Sequence, residues 1–176
     1  VPMHTFGHPC RMERIKEIAD HWGIPVVEDA AESLGSRISS RHCATFGKLG
    51  IISFNGNKTI TCGGGGAIVT HDEEIAAKAK FLTTTAKKAH PFEYIHEETG
   101  YNFRMPNLNA AMACAQLERL DNLLADKRLL AQSYLDFFKD RDWADFVREP
   151  DGCTSNYWLN TVITRNKNLR DDLLNA

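Results

Sequence analysis

Between residues 9 and 21 the apolar positions fall on a helical period. Met12, Ile15, Ile18 and Ala19 share one face, with Arg11, Glu13, Lys16 and Glu17 on the other. The spacing predicts a helix over 9–21, ended by Gly23. Residues 24–28 (IPVVE) are β-branched and nearly continuous in apolar character, which predicts a strand buried on both faces of a parallel sheet. Residues 50–55 (GIISFN) and 66–70 (GAIVT) predict two further strands. Asp72 is placed to cap a helix from residue 73 to about 82, with Ile75, Ala76, Ala79 and Leu82 turned inward.

Residues 83–106 have no clear period and carry a run of three threonines, paired lysines and two prolines; a connection this long is usually functional or exposed. Helix resumes near 107 and runs, with a bend, to about 139. Residues 155–164 (SNYWLNTVIT) alternate like a strand, and a new helix starts at 168. The alternating first part predicts a layered α/β domain over 1–120. The long helix and later strand predict a link into a second, smaller domain over 121–176. No internal repeat is present.

Composition narrows the function classes. The 176 residues are 43% hydrophobic and 25% charged, which excludes disorder. A net charge of −2 leaves no footprint for nucleic acid or an anionic membrane, and no apolar run approaches the roughly 20 residues that span a bilayer. The five cysteines are scattered without a C-x-x-C pair, so neither a disulfide framework nor a zinc site is read, and a cytoplasmic setting is expected. The histidines form no H-E-x-x-H, and no metal site is expected. The chain begins and ends in mid-pattern, as if cut at both ends.

Four features carry possible chemistry. Glu28 and Asp29 stand at the carboxyl end of a strand, where open α/β sheets bind ligands; a solvated strand end or a cap is the plain alternative. The run 62–66 (CGGGG) precedes a strand rather than a helix and lacks G-K-[ST], so a tight turn explains it better than a phosphate cradle. Ser53 and Lys58 frame a loop just past a strand, where a partly desolvated amine can form a Schiff base and a hydroxyl can hold an anion. A solvated loop lysine is the commoner outcome. Residues 100–106 (GYNFRMP) are a polar and aromatic cluster ahead of a helix.

Taken together, HTFGHP, VVEDAAES, SFNGNKTITCGGGG-AIVT and GYNFRMPNLNAAMACAQLERLD resemble the DegT/StrS-type sugar aminotransferases, from about residue 4 to 134. The resemblance implies pyridoxal 5'-phosphate (PLP) chemistry. It also implies an incomplete three-layer α/β/α large domain of PLP-transferase fold type I, followed by the start of a smaller α+β domain. Lys58 would hold PLP as a Schiff base and move the substrate proton. Asp29 would pair with the pyridine nitrogen, Ser53 with the phosphate, and Asn102 with the phosphate of a neighbouring subunit in a homodimer. The implied reaction moves an amino group from L-glutamate to a nucleotide-linked keto sugar, for surface polysaccharide or nonulosonic acid synthesis. GNKTIT and residues 83–87 (TTTAK) look most like the branch acting on UDP-linked 4-keto-6-deoxy sugars.

The chain departs from the family at three points. Glu32 stands beside the cofactor ring where Gln or His is usual, and a second carboxylate near Asp29 is expected to be protonated or to face elsewhere. The usual G-E-G-G is G-G-G-G. The family's N-terminal stretch and the end of its small domain are missing. Two other readings are an inactive truncated fragment of such an enzyme and a plain nucleotide-binding α/β module. A PLP-dependent sugar dehydratase would carry His in place of Lys58.

Overall fold

The computed structural model describes residues 1–176. After a 3-10 turn at Thr5–Gly7 come α1 (Met12–His21), β1 (Val27–Asp29), β2 (Arg37–Ile38), β3 (Arg41–His42), β4 (Leu49–Ser53) and β5 (Gly66–Val69). Then follow α2 (Glu73–Thr83), β6 (Lys87–Lys88), β7 (Ile95–His96), α3 (Asn107–Leu117) and α4 (Leu120–Phe138). The chain closes with β8 (Ala144–Phe146), β9 (Cys153–Thr154), β10 (Val162–Thr164) and α5 (Lys167–Asn175).

The main sheet has the order β1-β4-β5. β1 and β4 are parallel, with Asp29 opposite Ile51, whereas β5 runs antiparallel to β4, with Gly66 opposite Ser53. The expected parallel sheet is therefore mixed. No crossover helix lies between β4 and β5, and without one the returning chain pairs antiparallel. Burial on both faces, expected for the strand over 24–28, is partial: Glu28 is closed to solvent, whereas Val27 and Asp29 on the other face are half-buried. Ile52 and Val69 pack on Ala30, Cys43 and Ala44, while Ile51 and Ile68 on the other face are 42% and 47% exposed.

α2 forms as its sequence dictates, with Asp72 Oδ1 accepting from the amides of Glu74 and Ile75. α1 starts at Met12, later than expected, with no side-chain cap. Residues 83–106 contain the short antiparallel pair β6–β7 and a bridge between Thr84 and Asn102. The expected strand over 155–164 shrinks to Val162–Thr164. Tyr157 has a φ of 45°, which an extended strand does not accommodate.

Residues 155–158 are instead buried and return to the first part of the chain. Phe146 and Tyr157 pack with Ala131 of α4, and Phe54, Ile60 and Cys62 pack with Ala113 of α3. The first cluster holds α4 against β8 and the 155–158 segment; the second, which Leu34, Leu120 and Leu123 join, holds α3 and the start of α4 against the loops that follow β1 and β4. No helix is long and apolar enough to cross a membrane, and no group of three His, Cys, Asp or Glu side chains is arranged to hold a metal ion.

Candidate active site

Strand alternation sends the two adjacent acids of β1 to opposite faces. Glu28 is fully buried: Oε2 lies 3.0 Å from His4 Nε2 and accepts from the Ala44 amide at 2.9 Å. Oε1 accepts from the amides of Phe46 at 2.5 Å and Gly47 at 2.6 Å. Burial acts against its charge, but His4 and the Gly47 and Ala44 amides outweigh that and hold the carboxyl below its ordinary range. The Cys10 amide donates to His4 Nδ1 at 3.0 Å, so the ring offers its proton to Glu28 through Nε2. Glu28 is thus a structural anchor. Asp29 stays half-buried on the other face, where Oδ1 accepts from the Ala31 amide at 3.1 Å.

Ser53 ends β4 two residues beyond Ile51, the partner of Asp29, so Asp29 and Ser53 lie on the same face at the carboxyl ends of adjacent parallel strands. The Ser53 hydroxyl accepts from the Asn55 amide at 3.3 Å, which leaves its own proton to donate. The chain then turns back on itself, the Lys58 amide donating to Asn55 O at 3.1 Å. That turn presents Lys58 with a side chain only 14% exposed. Its Nζ makes no hydrogen bond. It lies 3.9 Å from Glu32 Oε1 and 4.0 Å from the centre of the Trp158 ring.

Glu32 is half-buried beside the lysine, with Oε2 accepting from the Phe6 amide at 2.7 Å and Oε1 turned toward Lys58. Lys58 and Glu32 are therefore brought together, and Asp29 and Ser53 share one face of the sheet. Asn102 has no hydrogen bond or ion pair with any of these four. It is exposed beside the glycine turn, where residues 63–66 and 102–106 line a cleft of about 420 Å³. The glycine run is a turn that feeds β5, with Gly63 and Gly65 at φ of 84° and 118°.

Sequence reasoning missed Asn156 and Trp158. Asn156 Nδ2 donates to the carbonyls of Glu32 and Leu34, both at 2.9 Å, and its Oδ1 accepts from the Trp158 amide at 2.8 Å. Trp158 Nε1 donates to Asn57 O at 2.7 Å. Ser155 Oγ and Ser36 Oγ both donate to Gly7 O, at 2.9 and 2.7 Å. This strap fastens the loop bearing Glu32 to the turn bearing Lys58. An Asn and a Trp within an apolar alternation were the available signal, because a buried polar group must find partners.

The pattern of the DegT/DnrJ/EryC1/StrS aminotransferase family matches residues 1–176. The chain belongs to that family. Among the family's curated members, GDP-perosamine synthase of Escherichia coli O157:H7 is 36% identical over 173 residues, which is 98% of this chain and 47% of the relative. Among solved structures, the aminotransferase TlmJ from Streptoalloteichus hindustanus superposes with a TM-score of 0.92 at 27% identity, over 97% of this chain and 47% of that one. The E. coli GDP-4-keto-6-deoxy-D-mannose-3-dehydratase, solved with bound hydrated PLP, superposes at 0.87 with 25% identity, over 98% of this chain and 49% of that one. The chain spans less than half the length of each of these relatives. Its fold is accordingly part of the α/β domain of a PLP-type aminotransferase.

Proposed function

We propose that this chain carries the lysine-bearing part of a PLP-dependent aminotransferase for a nucleoside-diphosphate-linked keto sugar, with L-glutamate as donor. The observation that carries the reading is Lys58: an amine sheltered from water, with no hydrogen bond, just past the carboxyl end of β4. Three residues at the carboxyl ends of β1 and β4 offer groups suited to the three polar ends of PLP. Lys58 offers an amine to the aldehyde, Asp29 a carboxylate to the ring nitrogen, and Ser53 a hydroxyl proton to the phosphate. When bound, the cofactor would supply an electron-sink ring that lets a substrate α-proton leave and return. Lys58 would take that proton on Nζ and give it back, acting as base and then as acid.

The family and the perosamine relative support the sugar class. The relative is named for a GDP sugar, so the broader nucleoside-diphosphate class replaces the narrower UDP expectation. We assign residues 1–120 to the PLP-binding domain and 121–176 to the link and the start of a smaller domain. Exposed Asn102 is assigned to the phosphate of a second subunit in a cytoplasmic homodimer serving surface polysaccharide synthesis.

The test is reductive trapping. The chain is mixed with PLP, reduced with borohydride, digested and mapped by mass. Labelling concentrated on the Lys58 peptide, and absent in Lys58→Ala, is expected. Label spread evenly over the surface lysines would overturn the assignment.

A further inference from the structure

Lys58 sits on two side chains that come from outside its own loop. The Trp158 ring faces Nζ at 4.0 Å, and Glu32 Oε1 approaches it at 3.9 Å. Neither is free to swing. The indole N–H donates to Asn57 O, on the residue before Lys58, at 2.7 Å, and the Trp158 amide donates to Asn156 Oδ1 at 2.8 Å. Glu32 is held at its other oxygen by the Phe6 amide and at its carbonyl by Asn156. Trp158 is 8% exposed, and a cation over an aromatic face is attracted most strongly where water is excluded.

The proposed chemistry gives this contact a purpose. A lysine that is bonded to a cofactor in one step and moves a proton in the next must be released in between. Its four-carbon stem then has many rotamers, and only a few keep the amine near the reacting carbon. We propose that Trp158 is a positioning residue for Lys58, with Glu32 as the counter-charge. Together they hold the ε-amine at the end of β4 whenever it is not covalently engaged. This rests on the role given to Lys58 above. In this role Trp158 acts through the lysine, whose amine its ring faces.

Reductive methylation with ¹³C-formaldehyde makes each lysine visible by NMR. The Lys58 methyl signal, identified by its loss in Lys58→Arg, is expected upfield of the exposed lysines because the indole ring current shields it. Trp158→Leu should return it to the exposed group. Trp158→Phe keeps a ring face without the indole N–H and should leave a smaller shift in the same direction. Glu32→Gln should reduce the shift as the amine loses its counter-charge. A Lys58 signal among the exposed lysines in the parent protein would overturn the proposal. So would a signal unmoved by Trp158→Leu or, should that variant not fold, by Trp158→Phe. PLP trapping on unmethylated protein is scored separately. No trapping with the upfield signal intact overturns the cofactor reading alone; trapping without the signal overturns the positioning role alone.

Discussion

His4 and Glu28 meet with Nε2 and Oε2 3.0 Å apart, both side chains closed to solvent. The contact joins the strand-like start of the chain, where Met3 bridges Asp29, to the loop after β3, whose amides at 44, 46 and 47 fill the rest of the carboxylate. One buried acid thus organises the end of β1 from inside, while its neighbour Asp29 stays on the opposite face.

Glu28 should give the fold an acid limb. Its folded carboxyl is held below the ordinary range despite burial, by His4 and the loop amides. The unfolded chain binds that proton more readily. Its contribution is therefore complete above the unfolded value, about 4.3, and is lost as pH falls through the lower folded value. Glu28→Gln should cost about 3 kcal/mol at pH 7 and flatten the stability curve below about pH 4.5. Urea unfolding across pH checks both; an acid limb identical to that of the parent would refute the assignment.

Lys58 should be separable from stability. It makes one ion pair at 3.9 Å and one ring contact. Lys58→Met should change stability by no more than about 1 kcal/mol while abolishing PLP trapping. A thermal melt and a trapping assay on the same sample measure the two effects. A large loss of stability would make the lysine a structural residue instead.

Arg128 of α4 grips Glu149 as a fork, Nη1 to Oε2 at 2.7 Å and Nη2 to Oε1 at 2.9 Å. The same guanidinium donates to Ser155 O at 2.8 Å, and Glu149 accepts from the Ser155 amide at 2.6 Å. The pair therefore holds the strap as well as itself. Arg128→Lys keeps the charge and loses the fork; with allowance for solvent screening, about 1–2 kcal/mol should be lost. Raising salt should not reproduce that loss, because the fork's geometry matters more than its long-range field. Denaturant melts at low and high salt distinguish the two.

What could be read in the sequence was local. Asp72 caps α2 through amides two and three residues on, and the Ser53–Lys58 loop follows directly from β4, so a short window contains each device. The strap was not legible for the opposite reason. Asn156 reaches the carbonyls of Glu32 and Leu34 across more than 120 positions, and Tyr157 takes a positive φ inside an alternating stretch. Periodicity reports which faces are apolar. It says nothing of which distant loop a buried amide will satisfy. Likewise, VVE reads as an apolar run, but only the β1–β4 register shows that Glu28 points inward and Asp29 joins the Ser53 face.

Gly7 provides the sharpest test of the strap. Its φ is 93°, and a Cβ there would overlap the Asn156 side-chain oxygen and lie 3.1 Å from the Trp158 amide. Gly7→Ala should lose about 2–3 kcal/mol, from the backbone angle and the overlap together. Asn156→Ala removes the overlapping side chain, along with its hydrogen bonds to the Glu32 and Leu34 carbonyls. The double variant should therefore be less destabilised than the sum of the singles, by about 1 kcal/mol. Denaturant unfolding of all four proteins closes the cycle. Strict additivity would assign the whole cost to the Gly7 backbone and none to the overlap with Asn156.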